Sequence, residues 1–163
     1  MRTFRGGIRL YEGKELTENI AISPVKAGET VVLPLSQHRG APANPIVKVG
    51  ERVLRGQLIA ESTSFVSAGI CSSVSGTVKA IEHRPILGGE GMCVVIQNDG
   101  LYECAAGVGE PRDPDSLSAE VIRRIVAQAG IVGMGGAGFP TSVKLSPPNP
   151  DEVHHVIING AEC

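Results

Sequence analysis

Short apolar runs dominate residues 30–98, and glycine or proline separates most runs from the next. Many of the runs are rich in valine and isoleucine, which favour strands. Strands of this length with turn residues between them are typical of a small, mostly antiparallel β barrel or sandwich. The runs expected to form strands are 30–35, 46–49, 50–56, 57–60, 65–67, 76–81 and 92–97.

The pattern changes after residue 98. Residues 99–115 are rich in glycine, proline and acidic side chains, which favours a linker. Residues 116–129 then carry an apolar stripe with helical period, and Gly130 follows as a stop signal. Either Ser116 or Ser118 can cap the N-terminus of this helix.

A last apolar run, Val156 to Ile158, predicts a buried and parallel strand. Ligands of open α/β sheets lie beyond the carboxyl ends of the strands. Asn159 and Glu162 follow this run, so both are candidate site residues. We therefore expect an α+β protein with four parts, which are an N-terminal arm (1–29), a β domain (30–98), a linker (99–115) and the start of an α/β nucleotide-binding domain (116–163).

Five glycines fall within residues 130–138, which we call the glycine loop: Gly130, Gly133, Gly135, Gly136 and Gly138. Glycine contributes no side chain to a core, so this density suggests a backbone that passes close to a ligand. Backbone amides beside a lysine, here Lys144, suit a phosphate. The loop lacks the Gly-Lys-Ser/Thr ending of a Walker A sequence. The alternative is a flexible surface loop with no ligand.

Composition excludes several classes of function. The net charge is −2 with both signs interspersed, so no basic surface for nucleic acid is expected. No apolar run reaches the roughly 18–20 residues that cross a bilayer, and the N-terminus has no signal-peptide pattern. We expect a cytoplasmic protein, or one peripheral to a membrane complex. The four cysteines have no C-x-x-C spacing, so no metal site is expected. His38 could be a site residue, but an isolated loop histidine is more often solvated or capping.

Residues 47–61, followed by 74–78, resemble a lipoyl or biotinyl carrier domain. Such domains carry their cofactor on a lysine in the hairpin between these two runs. Residues 62–78 contain no lysine. The resemblance therefore implies a barrel-sandwich hybrid without a carrier arm, which would act as a docking or structural module.

Four motifs together resemble the C subunit of the Rnf electron-transport complex, and related electron-transfer proteins such as those serving bacterial proline reductases look similar. The motifs lie at residues 35–43, 73–82, 130–141 and 158–163. That family couples electron flow between ferredoxin and NAD to ion transport across a membrane. The resemblance implies a peripheral protein on the inner face of the cell membrane, with other subunits of a redox complex as partners and ferredoxin as a further candidate partner.

The same resemblance implies FMN and NAD(H) as cofactors and assigns roles to single residues. The glycines at 133, 135, 136 and 138 match a loop that lies along FMN and NADH in the flavin-binding protein of respiratory complex I. Lys144 matches the phosphate-side lysine of that protein, and Phe139 matches a position associated with nucleotide stacking. Asn159 and Glu162 match the beginning of its Asn-Ala-Asp-Glu-Gly-Glu-Pro motif. Met134 and Ala161 depart from the complex I pattern, where arginine and aspartate stand.

The family also implies two 4Fe–4S clusters, but this chain has no C-x-x-C-x-x-C run to hold them. We therefore interpret the chain as an N-terminal fragment that does not oxidise NADH by itself. Two alternatives remain. One is a non-catalytic docking module of a redox complex, such as an amino-acid reductase system. The other is a lipoate or biotin carrier, which the missing lysine argues against.

Overall fold

The structure is a computed structural model that describes Tyr11 and residues 13–158. Residues 1–10 of the predicted arm, and the candidate residues Asn159 and Glu162, lie outside this range. The strands of the described residues are β1 (Thr30–Pro34), β2 (Asn44–Pro45), β3 (Arg52–Val53), β4 (Leu58–Glu61), β5 (Ile70–Cys71), β6 (Gly76–Ile86) and β7 (Gly89–Asn98).

These strands form two sheets. One has the order β1-β7-β6-β3, and the other has the order β2-β4-β5. Every strand pair is antiparallel, so the predicted β architecture is confirmed. The β6–β7 hairpin is longer than its apolar pattern predicts, because pairing continues to Ile86 and Gly89.

The core lies between the two sheets and is aliphatic, as the scarcity of aromatic residues predicts. Side chains from both sheets and from the connections between strands meet there, and Tyr102 packs against their edge. Fully enclosed aliphatic side chains of this kind each stabilise the fold by about 1.5–3 kcal/mol. The largest members are Leu35, Val53, Ile59, Val74, Val78, Val94 and Ile96.

Two predicted strands are wrong. Residues 46–49 lead instead into a turn in which the Glu51 amide donates to the carbonyl of Lys48, and the Glu51 carboxylate accepts in return from the Lys48 amide. Residues 65–67 lie in a bend between β4 and β5, where Ser62 and Ser64 donate to nearby carbonyls. Serine hydroxyls that satisfy the backbone locally compete with strand pairing.

Residues after β7 continue along the barrel surface. The Ser75 hydroxyl donates to Asp99 at 2.6 Å, and Arg52 forms an ion pair with Glu103 at 2.9 Å. The amide of Ala105 donates to the carbonyl of Arg55 at 2.9 Å. The first part of the predicted linker is therefore held against the barrel, and the domain boundaries remain a prediction.

Two helices follow, α1 (Ala119–Gln128) and the short α2 (Thr141–Lys144). Ser118, one of the two predicted caps, accepts a hydrogen bond from the Val121 amide, while Ser116 belongs to a preceding 3₁₀ turn. The apolar stripe of α1 is only half-buried, and no residue of α1 is fully buried.

The predicted C-terminal strand is wrong for the described residues. Val156, Ile157 and Ile158 are 82%, 92% and 86% exposed and belong to no strand. A parallel strand needs a hydrogen-bonded neighbour, and among residues 13–158 no strand lies beside this run. Its apolar character is real, but the contacts that would bury it are not among those described.

Candidate functional site

The glycine loop is a closed turn. Val132 and Pro140 face each other in an antiparallel bridge. Inside it, the Gly133 amide donates to the carbonyl of Phe139 at 3.0 Å, and the Gly138 amide donates to the carbonyl of Gly133 at 3.1 Å. These bonds argue against a flexible loop without defined shape.

The bonds also divide the loop amides into two groups. Those of Gly133 and Gly138 are used inside the turn. Those of Met134, Gly136 and Ala137 have no acceptor among the described residues. A Cβ built on Gly136 would meet nothing within 4 Å, so the backbone there borders open space. Donors without acceptors beside open space are what an anion-binding loop requires.

The glycine loop and α1 are each fixed to the barrel by a backbone hydrogen bond. The Arg39 amide donates to the carbonyl of Gly138 at 3.0 Å, and the Gly69 amide donates to the carbonyl of Ala127 at 2.9 Å. A Cβ at Gly69 would lie 2.8 Å from the carbonyl oxygen of Gln128, so the two backbones touch. Barrel and loop therefore form one structural unit here.

A cleft of about 900 Å³ lies between the loop and the barrel. The β1–β2 connection, the start of β5 and the tip of the β6–β7 hairpin form the barrel side. Residues 129–138 form most of the other side. The volume falls within the roughly 300–1,000 Å³ of small-molecule sites.

The structure places three of the eight predicted site residues on the lining of this cleft. Gly133, Gly136 and Gly138 line it. Gly135 is exposed in the same turn, and Phe139 follows half-buried. Lys144 is exposed at the end of α2, and its ammonium reaches the turn, because a Cβ on Gly133 would lie 2.9 Å from its Nζ.

His38 is buried, so the expectation of a solvated ring is wrong, whereas its bond to a backbone amide agrees with the alternative of a capping role. The side chain is only 9% exposed and lines the cleft. The Ala68 amide donates to Nε2 at 3.1 Å, and the Ser67 hydroxyl donates to the carbonyl of Ala41 at 2.9 Å. Nε2 also lies 3.0 Å from the carbonyl oxygen of Ala41 and 3.2 Å from the Ser67 hydroxyl. The other ring nitrogen, Nδ1, is buried and has no hydrogen-bond partner among the described residues.

The barrel side of the cleft also contains Cys71, whose thiol donates to the carbonyl of Gln128 at 3.4 Å. Burial raises the pKa of this thiol, so it stays protonated at neutral pH and is a poor nucleophile. Nowhere in the described part of the chain do three or more His, Cys, Asp or Glu residues come together as a possible metal site. The described helices are all too short or too polar to cross a membrane.

Comparison with protein families gives two matches. The RnfC barrel sandwich hybrid domain matches residues 2–101. The Nuo51 FMN-binding domain matches residues 126–163, which include the whole glycine loop and α2.

Curated relatives match the chain along its whole length. The C subunit of the proton-translocating ferredoxin:NAD(+) oxidoreductase complex of Clostridium ljungdahlii is 43% identical, over 100% of this chain and 36% of its own length. The C subunit of the Na(+)-translocating ferredoxin:NAD(+) oxidoreductase complex of Acetobacterium woodii is 44% identical, over 99% of this chain and 37% of its own. The C subunit of the ion-translocating oxidoreductase complex of Pseudomonas aeruginosa is 39% identical, over 100% and 21%.

The chain thus spans between 21% and 37% of the length of these relatives. The barrel sandwich hybrid match covers more than half of the chain and coincides with the two sheets and their core. The chain belongs to the RnfC family.

Proposed function

We propose that this chain forms one side of a flavin and NADH site in an electron-transfer subunit, within a membrane-associated complex that moves electrons between ferredoxin and NAD. The closed glycine loop supports this most directly, because its unused amides border a cleft beside the Lys144 ammonium. Amides next to a cation favour a phosphate group. The Nuo51 match over the same loop and the names of the relatives support the same assignment.

FMN fits the residues that are present. The open space at Gly136 allows a planar ring to approach the backbone, and the cleft is large enough for a small-molecule cofactor. Bound FMN would supply the hydride and single-electron chemistry. The chain would bind and orient it through the loop backbone, with Phe139 beside the nucleotide and Lys144 near a phosphate. Asn159 and Glu162 remain proposed contacts, and the two 4Fe–4S clusters would be ligated by residues that this chain does not contain.

The proposed subunit is peripheral and sits on the cytoplasmic face of the membrane through other subunits of its complex. Ferredoxin is a candidate partner, since the relatives in Clostridium ljungdahlii and Acetobacterium woodii are named for it. The 163-residue chain alone should not turn over NADH with an artificial acceptor, because the described residues leave the nucleotide site open. Met134 in the glycine loop is 93% exposed, and no residue of α1 is buried.

Titration of the full-length protein with FMN and NADH tests the proposal. Gly136→Val fills the space the ligand needs, so binding should be abolished. Lys144→Ala removes one charge-assisted contact, so affinity should fall roughly tenfold to a hundredfold. Lys79→Ala is the matched control, because Lys79 is an exposed lysine on β6 outside the cleft. Wild-type affinity in both loop variants would make the loop structural and refute the proposal.

A second candidate is a non-catalytic docking module that binds no nucleotide, for example in an amino-acid reductase system. One observation favours it. Gly69 lies between β4 and β5, in the segment where carrier domains bear their lysine, and its amide donates to α1, so this segment is held against the helix. Purified full-length protein that contains no flavin and binds neither FMN nor NADH would support this candidate. An added lipoyl or biotinyl mass on the intact chain would contradict both candidates.

A further inference from the structure

The charge of the cleft is one-sided. Among the described residues that line it, Arg39 carries the only permanent charge, and no carboxylate is present. The Arg39 guanidinium has no hydrogen bond or ion pair with the described residues. By contrast, Arg52 and Arg84 on the barrel are paired with carboxylates. A guanidinium that pairs with no described carboxylate, in a cleft that no described acid lines, is available to an anionic ligand.

The position of Arg39 is fixed by its neighbours. Its amide donates to the carbonyl of Gly138, and a Cβ on Gly138 would lie 3.5 Å from the Cα of His38, so the two segments are in contact. The His38 ring is in turn held by the Ala68 amide. The backbone that carries Arg39 is therefore held against the base of the glycine loop before any ligand binds, which reduces the entropy cost of binding.

Lys144 approaches the same base of the loop. Its Nζ lies beside Gly133, whose carbonyl accepts the Gly138 amide, and Gly138 is the residue to which Arg39 is bonded. Arg39 from the barrel is therefore bonded to Gly138, and Lys144 from α2 lies beside Gly133. These two glycines are hydrogen-bonded to each other. Among the described residues, the amides of Met134, Gly136 and Ala137 have no acceptor, and all three lie between Gly133 and Gly138 in the chain.

We propose that Arg39 is a phosphate-binding residue of the cleft, so that the barrel contributes a cation to the nucleotide site. This rests on the proposed function, and it extends the site from the glycine loop to the barrel. The ligand chemistry is a phosphate oxygen, which either the FMN monophosphate or the NADH pyrophosphate can supply. Arginine suits this chemistry because its planar fork can donate two parallel hydrogen bonds to a phosphate.

The test compares Arg39→Gln with wild type in the full-length protein, using FMN, riboflavin, NADH and inorganic pyrophosphate as separate ligands. Arg39→Gln keeps the backbone amide that bonds to Gly138, so the fold should be unchanged by circular dichroism. Affinity for FMN or NADH should fall roughly tenfold to a hundredfold, and affinity for riboflavin, which has no phosphate, should not change. The ligand that responds identifies which phosphate Arg39 contacts, and Arg39→Lys should restore part of the loss.

Arg124→Gln is the matched control, since Arg124 is an exposed arginine on α1 outside the cleft lining. Unchanged affinity for FMN and NADH in Arg39→Gln would overturn the inference while leaving the proposed function intact. An equal loss for riboflavin and FMN would show a structural role and would also overturn it. If wild type binds neither FMN nor NADH, the proposed function fails. Pyrophosphate then decides the inference, which stands only if wild type binds it and Arg39→Gln does not.

Discussion

The barrel and the segment after residue 118 both carry clear apolar patterns but are buried very differently. In the barrel, Val53, Ile59 and Ile96 are 0% exposed. In the later segment, α1 has no buried residue, and Ile157 is 92% exposed. The barrel sheets pair their strands with one another and enclose their own core. Within the described residues, α1 is supported by the barrel and by α2.

This difference shows that an apolar pattern defines which face of an element is to be covered, not what covers it. In the barrel, the covering face lies within the described residues, so the burial is complete. In the later segment, the stripe of α1 and the run at 156–158 are equally clear in sequence, but their burial depends on contacts that residues 13–158 do not supply.

The largest expected effect is on stability and contrasts one isoleucine from each region. Ile59→Ala removes a fully buried side chain and should cost about 2–5 kcal/mol of unfolding free energy. Ile125→Ala removes a half-buried side chain and should cost about 1 kcal/mol or less. Denaturant unfolding of the 163-residue chain, followed by circular dichroism, measures both. Equal losses would show that the two regions share one core.

A second contrast uses the same substitution at two glycines. Gly50 has a φ of 87° in a barrel turn with nothing near its Cβ position, so Gly50→Val should destabilise by roughly 1–3 kcal/mol through backbone strain alone. Gly136 has equally open space without a positive φ, so Gly136→Val should change stability by less than about 0.5 kcal/mol. Thermal unfolding measures both variants. A large stability loss in Gly136→Val would mean that its effect on binding reports unfolding.

The smallest expected effect concerns pH and the segment that follows β7. The Ser75 hydroxyl, and then the Leu101 amide, donate to the Asp99 carboxylate and lower its pKa. The stabilisation that the ionised Asp99 carboxylate gives the folded state is therefore fully present above the unfolded pKa of about 3.9. It is lost as pH falls through the lower pKa of the folded state. The stability difference between wild type and Asp99→Asn should shrink on acidification below about pH 4.

Local patterns predicted the elements whose determinants are local. The β runs around Val32, Ile59 and Val95 alternate or concentrate β-branched residues, and the structure has strands there. Ser118 caps α1, as expected for serine before a helix. The run at 65–67 failed because neighbouring serines satisfy the backbone in a bend, which apolar periodicity does not register.

The candidate site was only half visible in the sequence. Glycine density identified the loop, because that signal lies within nine residues. The barrel side, with His38, Arg39 and Cys71, comes from segments far from the loop in the chain. No periodicity joins Arg39 to Gly138, whose contact is a backbone hydrogen bond. Such bonds use groups that every residue except proline possesses, so side-chain identity carries no signal for them.

The two backbone hydrogen bonds that join the barrel to the glycine loop and to α1 also make opening of the cleft measurable by amide hydrogen exchange. The amides of Arg39 and Gly69 are donors in those bonds. Their protons can exchange with deuterium in solvent only while the glycine loop or α1 is separated from the barrel, because a bonded amide is protected. Amides of the β6–β7 ladder are protected until the sheet itself opens. The ratio of the two exchange times therefore measures how often the two sides of the cleft part while the barrel stays folded.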